Sequence, residues 1–102
     1  MKEEYIAITK LSGFYHVEVD FFSRLDELGL IEITTIDKVL CIHNDQIHDL
    51  ERMLRLHQEL DINLEGIDTI FNLLEKIENL EAELNEAKNK LRFYEGSREN
   101  EP

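Results

Sequence analysis

Tryptophan is absent from the 102 residues, and cysteine and proline occur once each. A single cysteine, Cys41, excludes an internal disulfide framework and reads as a reduced, buried thiol in a cytoplasmic protein. Only four glycines are present, and none forms a phosphate-cradling loop. Positive charge is scarce as well: 11 basic residues against 23 acidic ones leave a formal net charge of -12. A duplex-binding protein takes most of its affinity from neutralising phosphates, with about 6–10 contacts for a firm grip. Residues 1–43 offer Lys2, Lys10, Arg24 and Lys38 against eight acidic side chains. That balance argues against duplex DNA and against an anionic membrane surface, and it suits a basic protein partner. No run approaches the ~20 apolar residues of a membrane span. The opening MKEEYIAIT is acidic and has no long apolar stretch, so no signal peptide is expected.

What is present is enough for one small core. The apolar fraction is 42%, which supports folding despite the charge. Small domains bury a smaller share of their surface, so self-association would help this one.

Tyr5 to Ile8 reads as a short strand or extended lead-in. Thr9 is a candidate cap for a brief helix through about Tyr15, weakened by Gly13. Val17, Phe21, Phe22, Leu25 and Leu28 recur at helical steps, and Gly29 supplies the stop. The stretch GLIEITTIDKVLCIH is β-branched on both sides of Asp37-Lys38 and predicts a hairpin turning there. Asn44 is a candidate N-cap for a helix from Asp45 to about Leu60. Its stripe is Ile47, Leu50, Leu54 and His57, with Met53 and Leu60 beside it. Asn63 is a second N-cap, with Ile62 and Ile67 in the two positions of a hydrophobic staple.

From Leu64 to about Tyr94 helix formers dominate. Ile70, Leu73, Ile77, Leu80, Leu84, Ala87, Leu91 and Tyr94 alternate at steps of three and four, a heptad seam held for four heptads. Each buried Leu or Ile is worth roughly 1.5–3 kcal/mol, so the seam requires a partner surface. It either folds back on the preceding helix or pairs with another copy, and the length favours a homodimer. The flanking charges match in both a parallel and an antiparallel pair, so they leave the orientation open. The tail beyond Gly96 is polar and expected to be disordered.

Catalytic and metal chemistry find no constellation. His16, His43, His48 and His57 form no i, i+4 pair, and Cys41 and His43 alternate on a strand while His48 lies in a helix. The carboxylates are spread as solvated faces without a nucleophile-base arrangement. The expectation is no enzyme, no cofactor and no metal. Glu18, Asp20, Asp26 and Glu27 cluster on the second helix, with Val19 and Ser23 among them. They form either a plain solvent face or a docking surface for a basic helix.

The order helix-turn-helix, hairpin wing, two helices and coiled coil resembles the MerR-type regulators, as does RLDELGLIE (Arg24 to Glu32). Within Asp49 to Ile67, LRLHQELDINLEGI is similar to the chaperone-modulator family CbpM, a divergent MerR-like group. The resemblance covers about residues 5–95. It implies a mainly α fold: a MerR-like winged helix-turn-helix domain over 1–63, a long C-terminal coiled-coil helix for dimerisation over 64–95, and a tail over 96–102. DNA-binding MerR proteins usually carry an Arg-Tyr or Arg-Phe pair on the second helix. Aligning on Gly29-Leu30 puts Ser23 and Arg24 there, among acids, and no effector-binding domain is expected after the coiled coil. Both departures favour the modulator branch. That branch implies a partner, the J-domain of a CbpA- or DnaJ-like co-chaperone that stimulates DnaK, with its basic helix occluded by Glu18, Val19, Asp20, Ser23, Asp26 and Glu27. The alternatives are a MerR-like transcriptional regulator and a structural coiled-coil dimer.

Overall fold

A computed structural model describes residues 4–99, with side chains as far as Gly96. The element order is β1 (Tyr5–Ala7), α1 (Ile8–Tyr15), α2 (Val19–Glu27), β2 (Thr34–Ile36), β3 (Val39–His43), a 3-10 turn (Asn44–Gln46), α3 (Ile47–Glu59) and α4 (Leu64–Glu99). This is a mainly helical winged helix-turn-helix with a small sheet, followed by a long helix. Two compact units divide the chain, residues 1–69 and 70–102.

The wing is a three-stranded antiparallel sheet in the order β1-β3-β2. Asp37 and Lys38 form its tight turn with φ of 50° and 66°. Ile36 pairs with Val39 directly across it. Two consecutive left-handed residues are the two-residue hairpin turn whose twist matches that of the strands. The lead-in is a true strand, pairing Tyr5 with His43 and Ala7 with Cys41. Ile8 is not part of it. It opens α1 at 1% exposure, and Ala7 in extended geometry is the N-cap, so Thr9 lies inside the first turn rather than capping it. Burial of Ile8 decides that boundary.

The helix α2 starts at Val19 rather than Val17. Val17 belongs to the α1–α2 turn, where its N–H reaches Ser12 O at 3.2 Å and its carbonyl accepts from the Ser12 hydroxyl. The end of α2 is closed by Gly29, at φ 77°. Leu30 N–H bonds to Leu25 O at 2.9 Å and Gly29 N–H to Asp26 O at 3.0 Å, the paired closure that a left-handed glycine permits. Phe21, Phe22 and Leu25 face the core. Leu28 does not: at the C-cap it is 38% exposed.

Asn44 is not the cap before α3. His43 instead caps the 3-10 turn, its ring accepting from Asp45 N–H at 3.1 Å, and the chain becomes α-helical only at Ile47, with Gln46 at the N-cap of α3 and no side-chain cap bond. Leu50, Met53 and Leu54 are buried, whereas Leu60 is exposed beyond the helix end. Fully buried Phe22, Leu25, Ile42, Leu50 and Ile67 join α2, β3, α3 and the start of α4 in one core, each contributing about 1.5–3 kcal/mol.

Asn63 caps α4, its Oδ1 accepting from Gly66 N–H at 2.8 Å. Ile67 is fully buried and Ile62 half-buried in the staple positions. Gly66 is the residue that makes room: a Cβ there would lie 2.7 Å from Ile62 Cγ2 and 3.1 Å from Asn63 Oδ1. Helix propensity alone would reward alanine in place of glycine by about 0.5–1 kcal/mol. Gly66→Ala is instead expected to destabilise by about 1–3 kcal/mol through overpacking. Urea denaturation of the two proteins checks the sign.

The helix α4 continues through Gly96 to Glu99. Residues 96–99, expected in a disordered tail, are helical; the call on 100–102 lies outside the described residues. One glycine costs about 1 kcal/mol relative to alanine, which does not end a helix whose neighbours all favour it.

Candidate functional site

The inward packing of Phe21, Phe22 and Leu25 determines what α2 turns to solvent. Three inward positions clustered at i, i+1 and i+4 leave Asp20, Ser23, Arg24 and Glu27 on the opposite side. Asp20, Arg24 and Glu27 are exposed there, Ser23 is half-buried, and Val19 beside them is 39% exposed. Glu18 is the N-cap residue and makes no side-chain cap bond. Asp26 stands apart: its Oδ1 accepts from Ile33 N–H at 3.1 Å, tying α2 to the loop that leads into the wing. Of the six residues singled out from sequence, Asp20, Ser23 and Glu27 thus share one stripe, while Glu18 and Asp26 flank it.

Arg24 belongs to this surface although it was absent from that set. It sits four residues after Asp20, and both line a groove of about 380 Å³ with Glu18. Val17, Phe21 and Leu64 supply apolar lining, and His57, Asn63 and Glu65 complete it. His57 is held in place by its neighbours. Its ring lies 4.9 Å from that of Phe21, and Nδ1 is 3.0 Å from Ile62 O. Glu65 comes from the first turn of α4, far from Glu18 in sequence, and only the fold brings the two carboxylates to one groove. The helix dipoles at the starts of α2 and α4 accommodate Asp20 and Glu65.

The other polar features are structural. The Tyr15 hydroxyl donates to Glu51 Oε2 at 3.2 Å, and Gln58 Nε2 donates to Tyr15 O at 3.1 Å, fastening α1 to α3. Burial, then the bond to Glu51 and that carboxylate's charge, raise the Tyr15 phenol above its ordinary value. It therefore remains a donor through neutral pH. Among the described residues no three His, Cys, Asp or Glu side chains are grouped to hold a metal ion. His16 ends α1 in left-handed geometry at φ 58°, His48 is exposed on α3, and Cys41 is buried in the wing. No helix of the described residues is long and apolar enough to cross a membrane.

In the second unit, Leu73, Ile77, Leu80, Leu84, Leu91 and Tyr94 are between 48% and 65% exposed. Ala87 is exposed with them, and Ile70 is half-buried. The helix carries one intrahelical ion pair among the described residues, Lys90 to Glu86 at 3.5 Å.

Residues 6–89 match the model of a family described as MerR HTH family regulatory protein. A comparison with individual curated proteins gives no match.

Proposed function

The chain belongs to the MerR helix-turn-helix family of regulatory proteins, and from that premise we propose that it regulates by capturing another protein, a J-domain co-chaperone, rather than by reading DNA. The observation that carries this reading is the charge on the outer face of α2. This is the second helix of the helix-turn-helix, the one that enters the major groove in DNA-binding relatives of this architecture. Here its solvent side holds Asp20 and Glu27, flanked by Glu18 and Asp26, with Arg24 as the one cation on the helix. Against a phosphate backbone that face is repulsive; against a basic helix it is complementary. The hairpin tip adds no phosphate anchor, since Asp37 and Lys38 cancel.

The J-domain as partner rests on the likeness of Leu54 to Ile67 to the CbpM group. Glu18, Val19, Asp20, Ser23, Asp26 and Glu27 form the contact surface in this reading. Arg24 and the groove that ends at Glu65 extend it. The action is occlusion: a basic helix held on α2 is withheld from the chaperone it would otherwise stimulate. Calorimetric titration of the full chain with the J-domain encoded in the same genome tests it, and absence of heat or saturation removes this assignment.

The seam of α4 is proposed to pair with a second copy. Layer sizes favour an antiparallel pair, in which Leu84 meets Ala87 of the second copy, Leu80 meets Leu91, and Ile77 meets Tyr94. Each small side chain then faces a larger one. A parallel pair would set Ala87 against Ala87 and leave an underfilled layer, which packing to interior density penalises.

A further inference from the structure

We infer that His43 is a proton-operated latch between the first strand and the turn that opens α3, exchanging a backbone cap for carboxylate contacts when its ring binds a proton. His43 ends β3 opposite Tyr5, whose ring it meets edge-on at 5.0 Å and 87°. Its Nδ1 has two neighbours, both from Asp45: the backbone N–H at 3.1 Å and carboxylate Oδ1 at 2.9 Å. Its Nε2 faces Glu4 Oε2 at 3.8 Å.

A ring nitrogen carries either a lone pair or a hydrogen. With a lone pair, Nδ1 accepts from Asp45 N–H and caps the 3-10 turn, but it then faces a carboxylate oxygen with which it shares no proton. With a hydrogen, Nδ1 donates to Asp45 Oδ1 and the cap bond is lost. The neutral ring that carries its hydrogen on Nδ1 would donate to Asp45 Oδ1, but it would leave Asp45 N–H without its acceptor and set its Nε2 lone pair toward Glu4. The neutral ring therefore caps through Nδ1 with Nε2–H toward Glu4, and the protonated ring bridges Asp45 and Glu4. The two arrangements of Nδ1 exclude each other.

Among the described residues, the charged and titratable groups around the ring are Glu4 and Tyr5 from the β1 side, Asp45 from the turn, and Glu32. The last lies across a groove of about 490 Å³ that also takes in Thr34 and Gln46. Among the described residues no lysine or arginine lines that groove. The turn also transmits. Gln46 Oε1 accepts from Glu32 N–H at 2.7 Å and its Nε2 donates to Glu32 O at 3.1 Å. Through this clamp the 3-10 turn holds the loop that follows the acidic helix α2.

The test is nuclear magnetic resonance on the full chain between about pH 8 and about pH 5, the range in which imidazoles titrate. Ring nitrogen shifts of His43 and the exchange protection factors of the Asp45 and Glu32 amides are followed together. Asp45 protection is expected to fall by about fivefold with the same midpoint as the ring, the factor that one typical net hydrogen bond supports. Glu32 protection follows it. His43→Asn retains a capping acceptor without a titrating group, so Asp45 protection should become constant across the range. A neutral ring with its hydrogen on Nδ1 would overturn the latch without recourse to any variant. So would Asp45 protection that stays level while the ring titrates, or that responds equally in His43→Asn.

Discussion

If the seam pairs as proposed, replacing Leu84 by aspartate is expected to convert a dimer into a monomer across the micromolar range. Leu84 lies at the middle of the exposed seam that runs from Leu73 to Tyr94. In the antiparallel pairing the substitution falls twice, once per copy, each time against Ala87 in a layer flanked by Leu80 and Leu91. Each site loses about 1.5–3 kcal/mol of apolar burial and adds an unpaired carboxylate in an apolar layer, a further penalty of about 1–3 kcal/mol. Together these weaken association by a factor on the order of 10³ or more. Residues 5–69 should keep their spectrum, because the substituted position lies outside their compact unit. Light scattering reads the mass directly. A wild-type monomer, or a Leu84→Asp dimer of unchanged affinity, would sink the pairing. Ala87→Leu separates the orientations: it crowds the Leu84 layer of an antiparallel pair and fills the underpacked layer of a parallel one.

Reversing Asp20 and Glu27 to lysine is expected to slow the proposed capture of a J-domain by about tenfold or more at physiological salt, with little change in stability. Each reversal adds two positive charges, so the net charge rises from -12 to -8, and both changes fall on one exposed stripe. The loss should shrink as salt is added, since the Debye length is about 8 Å at 0.15 M and about 3 Å at 1 M. Stability is buffered by the helix itself. Lysine at Asp20 opposes the dipole at the start of α2 and lysine at Glu27 favours it near the end, terms of about 0.3–1 kcal/mol each. A double variant that associates as fast as wild type would move the contact surface off α2. Asp26 is excluded from the reversal because it holds Ile33 N–H, so its loss would disturb the loop and blur the result.

Much of this architecture is written in local signals. Phe21, Phe22 and Leu25 specify the inward side of α2, Gly29 closes it, Asp37-Lys38 turns the hairpin, and Asn63 with Ile62 and Ile67 opens α4. In each case the deciding residues are neighbours within a turn or two of helix, so spacing alone reveals them. The misses lie where distant contacts decide. Ile8 joins a helix because the core takes it up, although its neighbours read as a strand. His43 displaces Asn44 as cap because β3 delivers its ring to Asp45 N–H, a consequence of strand pairing with Tyr5. Leu28 and Leu60 continue their stripes in sequence, yet both fall at helix ends, where the chain leaves the core.

The candidate surface divides in the same way. The acids of α2 are visible in sequence as a cluster, and their outward direction follows from the phenylalanines. The groove does not follow, since it joins Glu18 and Asp20 to His57 and Glu65 from two later helices. Nor does the separate task of Asp26, which depends on where the loop places Ile33. No periodicity connects such positions; packing of α2 against the starts and ends of other helices does.

The most direct test of the central claim is a paired titration of the full chain at about 0.15 M salt, an ionic strength at which exposed charges are partly screened. One arm adds the J-domain of the co-chaperone from the same genome, and the other adds duplex DNA. The account predicts saturable binding of one J-domain per chain and no sub-micromolar affinity for any duplex. Tight, salt-sensitive binding to a duplex with no response to the J-domain would contradict it, and would make the outer face of α2 a DNA-reading surface in spite of its acids.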